Sequence, residues 1–197
     1  MSVKNKIAVL GWGSLIPNPG ELSIDVNKDW FADGPILPIE YARISGRRLT
    51  LVINEDSKPV QTLWAIMNYE DLNQAKENLR IQERMKSTRQ IGYVDIASRS
   101  NDNFSNKEVL DTIGEWAKSK DLDAVIWTGL KPNFEEKISE LFSEPARKLN
   151  IENIEWFFDQ LTTEELDSAI DYIFETPNST QTKLRSFIEE ILNTKYK

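Results

Sequence analysis

The chain has 197 residues, of which 40% are apolar and 28% charged, and its formal net charge is −8. This composition predicts a soluble globular protein, one domain with or without an appendage, and excludes a disordered chain. No apolar run approaches the roughly 18 residues that cross a bilayer, so we expect no membrane partner, and the acidic balance argues against nucleic acid as a general partner.

Two residue types are absent from the sequence. Without cysteine, the chain has no disulfide bond, thiolate nucleophile or cysteine-ligated metal. Without histidine, it has no Ser-His-Asp triad, imidazole base or histidine-ligated metal. Chemistry must therefore use carboxylates, lysines, tyrosines, hydroxyls or the backbone, and we expect neither a metal nor a cofactor. The first residues lack the apolar segment of a secretory signal, so we expect a cytoplasmic protein.

The first 130 residues show mostly strand patterns. Short apolar runs predict strands, in chain order, in KIAVLG (6–11), ILPIEYARIS (36–45), RLTLVI (48–53), QTLWAIMN (61–68), IGYVDIAS (91–98) and LDAVIWTGL (122–130). Apolar residues three and four apart predict helices over 69–85 and 105–120, the second capped by Ser105 or Asn106. A long irregular segment over 16–35 separates the first two strands, and loops of such length are often functional.

The last third of the chain shows only helical patterns. These are NFEEKISELF (133–142), NIENIEWFFDQL (150–161), TTEELDSAIDYIFET (162–176) and STQTKLRSFIEEIL (179–192). Thr162 or Thr163 and Ser179 are the expected N-caps of the last two helices. The sequence therefore predicts an α+β protein with a β-rich core over 1–130 and a helical extension over 131–197 packed on the core.

The first strand ends in an unusual turn, GWGSL (11–15). A dinucleotide-binding turn requires a third glycine where the chain has Ile16, and a P-loop requires Gly-Lys-Ser/Thr. A serine nucleophile would need a base, and histidine is absent. Two interpretations remain: the backbone N–H groups face an oxygen of a small ligand, or the glycines only permit a tight turn with Trp12 in the core.

An acidic residue continues the apolar stripe of the helix predicted over 69–85. The stripe consists of Leu72, Ala75 and Leu79. Eleven residues after Leu72 the same face presents Glu83. Burial there would raise the pKa of the carboxyl group and allow it to accept and donate a proton. Alternatively, the helix ends near Gln82 and leaves Glu83 exposed or paired with Arg80 or Arg84.

Together, the turn and the glutamate resemble the γ-glutamylcyclotransferase-like family over roughly residues 5–100. The segments that carry the resemblance are WGSL (12–15), TLWAIMN (62–68), LRIQE (79–83) and IGYVDI (91–96). The resemblance implies a small mixed β-barrel or sheet, a substrate whose glutamyl end is bound by the first turn, and Glu83 as acid/base. It implies an enzyme that releases 5-oxoproline and an amine or amino acid from a γ-glutamyl amide.

Two residues depart from the family pattern. Trp12 replaces the usual tyrosine and lacks its hydroxyl, and Arg84 stands where a glycine commonly follows the glutamate. Arg84 either fills part of the pocket or receives a carboxylate of the substrate. Tyr93 either presents its hydroxyl to the pocket or packs in the sheet. The expected substrate-binding residues are Gly11, Trp12, Gly13, Ser14, Leu15, Arg84 and Tyr93.

Two functions other than catalysis are compatible with this sequence. One is a non-catalytic module that keeps the pocket for a small metabolite, which the atypical Trp12 and Arg84 favour. The other is a protein-interaction role for the acidic helical tail. The pattern does not predict an oligomeric state.

Overall fold

The computed structural model describes residues 5–25, 30–102 and 105–196, and the elements below lie in these ranges. The strands are β1 (Ile7–Gly11), β2 (Ile36–Ser45), β3 (Arg48–Ile53), β4 (Pro59–Gln61), β5 (Leu63–Ile66), β6 (Ile91–Asp95), β7 (Ser100–Asn101) and β8 (Ala124–Thr128). The helices are α1 (Leu72–Gln82), α2 (Lys107–Ser119), α3 (Phe134–Phe142), α4 (Ile151–Asp159), α5 (Thr163–Glu175) and α6 (Arg185–Lys195). The predicted α+β class is confirmed.

The first of two compact units comprises Met1–Leu37 and Gln61–Leu130 and is built on a five-stranded sheet. The strand order is β5-β1-β8-β6-β7, with β1 parallel to β8 and antiparallel to β5. Every residue of β1 is buried, as expected for a central strand covered on both faces. On one face, Val9 and Ile126 share a hydrophobic core with Leu79 of α1.

The long segment between β1 and β2 covers the edge of this sheet at β5. The backbones of Phe31 and Trp64 exchange two hydrogen bonds of 2.9 and 3.0 Å, and the Asp25 N–H donates to the Ile66 carbonyl at 3.1 Å. Asp33 adds a side-chain anchor, because its carboxylate accepts the Trp64 indole N–H at 2.8 Å and binds the Lys120 ammonium at 2.5 Å. The described part of this segment therefore protects an edge strand that would otherwise expose unpaired backbone groups.

The second unit comprises Pro38–Val60 and Lys131–Lys197, with a three-stranded sheet ordered β3-β2-β4 and helices α3 to α6. Its core includes the side chains of Tyr41, Phe157 and Phe158, all 1% exposed or less. Neither sheet closes into a barrel within the described ranges, so of the predicted barrel or sheet the structure shows open sheets.

The grouping of residues 38–60 differs from the predicted division at residue 130. The sequence predicts 1–130 as one core, whereas contacts within the structure place 38–60 with the helical segment. The Asn133 amide oxygen accepts the Ile44 N–H at 2.8 Å, and the Leu51 N–H donates to the Tyr172 hydroxyl at 3.4 Å. These bonds join strand backbone to residues about 90 and 120 positions later, a distance that local patterns do not encode.

Helix caps account for most of the observed helix starts. Asn106 caps α2, and Thr162 caps α5 in a capping box with Glu165. The prediction of Ser179 as a cap is wrong, because α6 begins only at Arg185. No helix in the described ranges has both the length and the apolar character needed to cross a membrane.

Candidate functional site

The turn after β1 depends on a close approach between its first glycine and an aromatic ring. A Cβ atom on Gly11 would lie 2.8 Å from Trp30 Cζ3 and 3.1 Å from Ile16 Cγ1, so a larger residue would displace these side chains. Neither Gly11 nor Gly13 has a left-handed φ. Trp12 is 5% exposed and lies in the core, where the second interpretation of the turn placed it.

Three successive backbone N–H groups in this turn have no acceptor among the described residues. The turn closes with hydrogen bonds from Ile16 N–H to the Gly13 carbonyl at 3.1 Å and from Asn18 N–H to the Ser14 carbonyl at 3.0 Å. As at a helix start, the preceding N–H groups, those of Gly13, Ser14 and Leu15, have no acceptor in the part of the chain that the structure describes. Gly13 is buried and Ser14 half-buried. Because buried backbone donors are almost always paired, these N–H groups are available to donate to an oxygen of a ligand.

Glu83 lies at the end of α1 as its C-cap, with φ −84° and ψ 3°. The helix ends at Gln82, as one of the two alternatives predicted, yet Glu83 is half-buried rather than exposed. Arg80 does not pair with it, because its guanidinium binds both carboxylate oxygens of Glu77 at 2.8 and 2.7 Å. Within the described ranges, no side chain or N–H group donates to the Glu83 carboxylate.

Desolvation by the surrounding protein raises the pKa of the Glu83 carboxyl group. Among the described residues, no cation opposes this effect, and the proton therefore leaves less readily than from a solvated glutamate. A partly accessible carboxyl group with a raised pKa and no partner is the arrangement that general acid/base catalysis requires.

Side-chain amides of α1 connect the two halves of the site. Gln82, next to Glu83, accepts the Glu21 N–H at 2.8 Å, and Asn78 accepts the Ser23 N–H at 2.8 Å. Leu15 shares its hydrophobic core with Leu79 and Met85, which flank the end of the helix. The end of α1 therefore lies beside the chain that leaves the turn.

The two remaining predicted site residues, Arg84 and Tyr93, have different surroundings. Arg84 is exposed, has a left-handed φ of 50°, and has no side-chain partner in the described ranges. The half-buried ring of Tyr93 lies 4.0 Å from the Lys76 ammonium. Lys76 precedes Glu83 by seven residues, about 10 Å along the helix. The structure thus groups Tyr93 with Lys76, which precedes Glu83 by about two helical turns.

Asn78 and Gln82 were not predicted from the sequence as functional residues. Their spacing of four places both amides on one face of α1, but polar residues on a helix surface normally indicate only solvation. Among the described residues, no group of three or more carboxylate side chains is placed to hold a metal ion.

Comparison with known proteins identifies no relative. No protein-family model, curated protein or solved structure matches the chain. Function must therefore be inferred from the geometry and chemistry of the site itself.

Proposed function

We propose that this chain is a γ-glutamylcyclotransferase-type enzyme that converts a γ-glutamyl amide into 5-oxoproline and a free amine or amino acid. The observation that carries the proposal is Glu83, a half-buried carboxyl group with a raised pKa and no partner in the described ranges. It follows a helix that is clamped to the chain leaving a turn with three unpaired N–H groups. The order of elements from β1 through α1 to β6 supports the family's fold type for the first unit.

The reaction needs no nucleophile from the protein. The α-amine of the substrate attacks its own γ-carbonyl carbon, a C–N bond forms to close a five-membered lactam, and the amide C–N bond to the leaving amine breaks. Holding the amine and the carbonyl carbon about 3 Å apart supplies much of the rate, since well-oriented intramolecular attack is worth roughly 7–11 kcal/mol. A chain without histidine can perform this reaction.

Glu83 moves the protons in this scheme. The ionised carboxylate accepts a proton from the attacking amine, and the resulting acid donates it to the nitrogen of the departing amine. One group can perform both steps because the raised pKa makes the carboxylate a stronger base than that of a solvated glutamate, and the carboxylic acid that results can still protonate the far more basic nitrogen of the leaving amine.

The unpaired N–H groups of the turn stabilise the oxyanion. Attack converts the γ-carbonyl oxygen into an alkoxide, which the donors of Gly13, Ser14 and Leu15 are available to bind. Each such donor contributes roughly 3 kcal/mol to the stability of the transition state. Ser14 acts here through its backbone N–H group, since the chain has no histidine to activate its hydroxyl.

A substrate panel tests the proposal. Purified protein is incubated with glutathione, γ-glutamyl amino acids and γ-glutamyl amines, and 5-oxoproline is quantified by mass spectrometry. Product should form from at least one compound and not from its N-acetylated counterpart, whose blocked α-amine cannot attack. Binding of these compounds without any product would reject the enzyme and favour a non-catalytic metabolite-binding module on the same site.

Arg84 offers a test of the part of the substrate beyond the glutamyl group. Arg84→Gly should raise KM about tenfold for a substrate whose leaving amine carries a carboxylate, because a guanidinium binds carboxylates well. KM for an uncharged leaving amine should not change. The protein should gain roughly 1 kcal/mol in unfolding free energy, since glycine adopts the left-handed conformation without strain.

Arg99 provides the matched control for this substitution. It is also exposed and left-handed, with a φ of 54°. Arg99→Gly should give a similar gain in a urea titration with no change in either KM. A KM for the carboxylate-bearing substrate that is unchanged from the parent in Arg84→Gly would remove Arg84 from substrate recognition.

A further inference from the structure

Two amide side chains of α1 each bind the backbone of residues 18–23 through both of their polar atoms. The Gln82 amide oxygen accepts the Glu21 N–H at 2.8 Å, and its NH₂ group donates to the Asn18 carbonyl at 3.3 Å. The Asn78 oxygen accepts the Ser23 N–H at 2.8 Å, and its NH₂ group donates to the Glu21 carbonyl at 3.0 Å. We call these four hydrogen bonds the amide clamp.

Gly20 is the residue that lets the backbone approach the clamp. Its φ of 53° is left-handed, and a Cβ atom there would lie 2.6 Å from the Gln82 amide oxygen. On the other side of the same segment, Leu22 and Ile24 are buried in the core that contains Leu79. The segment is thus held both by the amides and by its own apolar side chains.

The clamp joins the two groups that the proposed reaction uses. At one end, Gln82 precedes Glu83 directly in the chain. At the other end, the Asn18 N–H is bonded to the Ser14 carbonyl, so Asn18 belongs to the same turn as the unpaired N–H groups. The backbone thus links Glu83 to Gln82, and the Gln82 amide holds both Asn18, which belongs to the turn, and Glu21, which follows it.

We infer that Asn78 and Gln82 are positioning residues, which hold the N–H groups of Gly13, Ser14 and Leu15 at a fixed place relative to Glu83. This inference rests on the proposed function. Neither side chain takes part in the chemistry. A displacement of about 1 Å between donors and acid is enough to cost about a hundredfold in rate, so the clamp matters for turnover more than for substrate affinity.

Gln82→Met tests the inference, because methionine keeps the length of the side chain and loses both hydrogen bonds. We expect kcat to fall roughly 10–100-fold with KM within about twofold of the parent value. Gln74→Met is the matched control, since Gln74 is exposed on the same helix and its side chain has no partner in the described ranges. That variant should leave both kinetic constants unchanged.

Gln82→Glu is the conservative variant that should rescue turnover. A carboxylate still accepts the Glu21 N–H and loses only the longer bond to Asn18. At its own pH optimum, which the added charge beside Glu83 will shift, kcat should return to within about threefold of the parent. A kcat that is unchanged in Gln82→Met, or equally low in both variants, would overturn the positioning role.

A second measurement tests the positioning role without an activity assay. In ¹⁵N spectra, the amide signals of Gly13, Ser14 and Leu15 should shift as Glu83 titrates in the parent protein and should shift much less in Gln82→Met. Equal shifts in both proteins would overturn the clamp. Absence of 5-oxoproline with the parent would instead reject the proposed function, so the two failures are distinguishable.

Discussion

Glu83→Gln should abolish 5-oxoproline release and at the same time stabilise the folded protein at neutral pH. Glutamine keeps the shape of the side chain but accepts no proton at this pH, so kcat should fall about 10²–10⁴-fold. KM should change little, because the turn that is proposed to bind the glutamyl end is intact. Steady-state assays over pH 5–9 measure this loss. In the parent, the acid limb of kcat/KM should lie above the ordinary pKa of glutamate.

The gain in stability follows from the direction of the pKa shift. Burial raises the pKa of Glu83 in the folded state, so the folded chain binds the proton more tightly than the unfolded chain. Below the unfolded-state pKa, about 4.3, the carboxyl is protonated in both states and burial costs little. As the pH rises through the folded-state pKa, a desolvated charge forms and stability is lost. The glutamine variant avoids this loss, so its advantage should be present at pH 7 and vanish near pH 4.

Glu77 is the control, because its pKa is shifted in the direction opposite to that of Glu83. It lies on the same helix, and its hydrogen bond to Arg80 lowers the pKa of its carboxyl group. Its contribution to stability is therefore present above the unfolded-state pKa and lost as the pH falls, so Glu77→Gln should destabilise slightly at pH 7. Activity should be unaffected. Urea titrations across pH 4–8 measure the free energy of unfolding of both variants and the parent. A Glu83→Gln variant that is less stable than the parent at pH 7 would show that the carboxylate is not desolvated.

Periodicity located Glu83 even though the helix ends one residue earlier. The stripe from Leu72 to Leu79 was extrapolated at helical spacing, and the C-cap residue retains a near-helical φ of −84°. The extrapolated side chain therefore still points toward the protein. The left-handed conformation that ends the helix falls on Arg84, a position where glycine would have been the clearer signal.

Hydrogen bonds between residues far apart in the chain could not be predicted from local sequence patterns. The amide clamp joins residues 55 to 64 positions apart, and amides of this kind in a helix are indistinguishable from solvated ones until the partner backbone is known. Strands β4 and β7 have only three and two residues, too few for alternation to be detected. The start of α6 at Arg185 could not be predicted either, because it depends on the hydrogen bonds of one buried arginine.

That arginine, Arg185, organises the segment before α6. The residue is 1% exposed, and its guanidinium donates to the carbonyl oxygens of Thr176 at 2.9 Å, Pro177 at 2.5 Å and Thr180 at 3.0 Å. Its Nε donates to the Glu189 carboxylate at 2.7 Å. These bonds hold residues 176–180 in an irregular path and explain why no helix begins at the predicted serine.

Arg185→Met should therefore lower the unfolding free energy by roughly 3–5 kcal/mol, because three carbonyl oxygens and a carboxylate lose their donor in a buried place. Arg185→Lys should not restore it, since one ammonium cannot reproduce the planar set of donors. Lys183→Met, at an exposed lysine of the same unit, should change stability by less than about 0.5 kcal/mol. Urea unfolding followed by circular dichroism measures all three variants, and a loss below about 1 kcal/mol in Arg185→Met would contradict an organising role for the guanidinium.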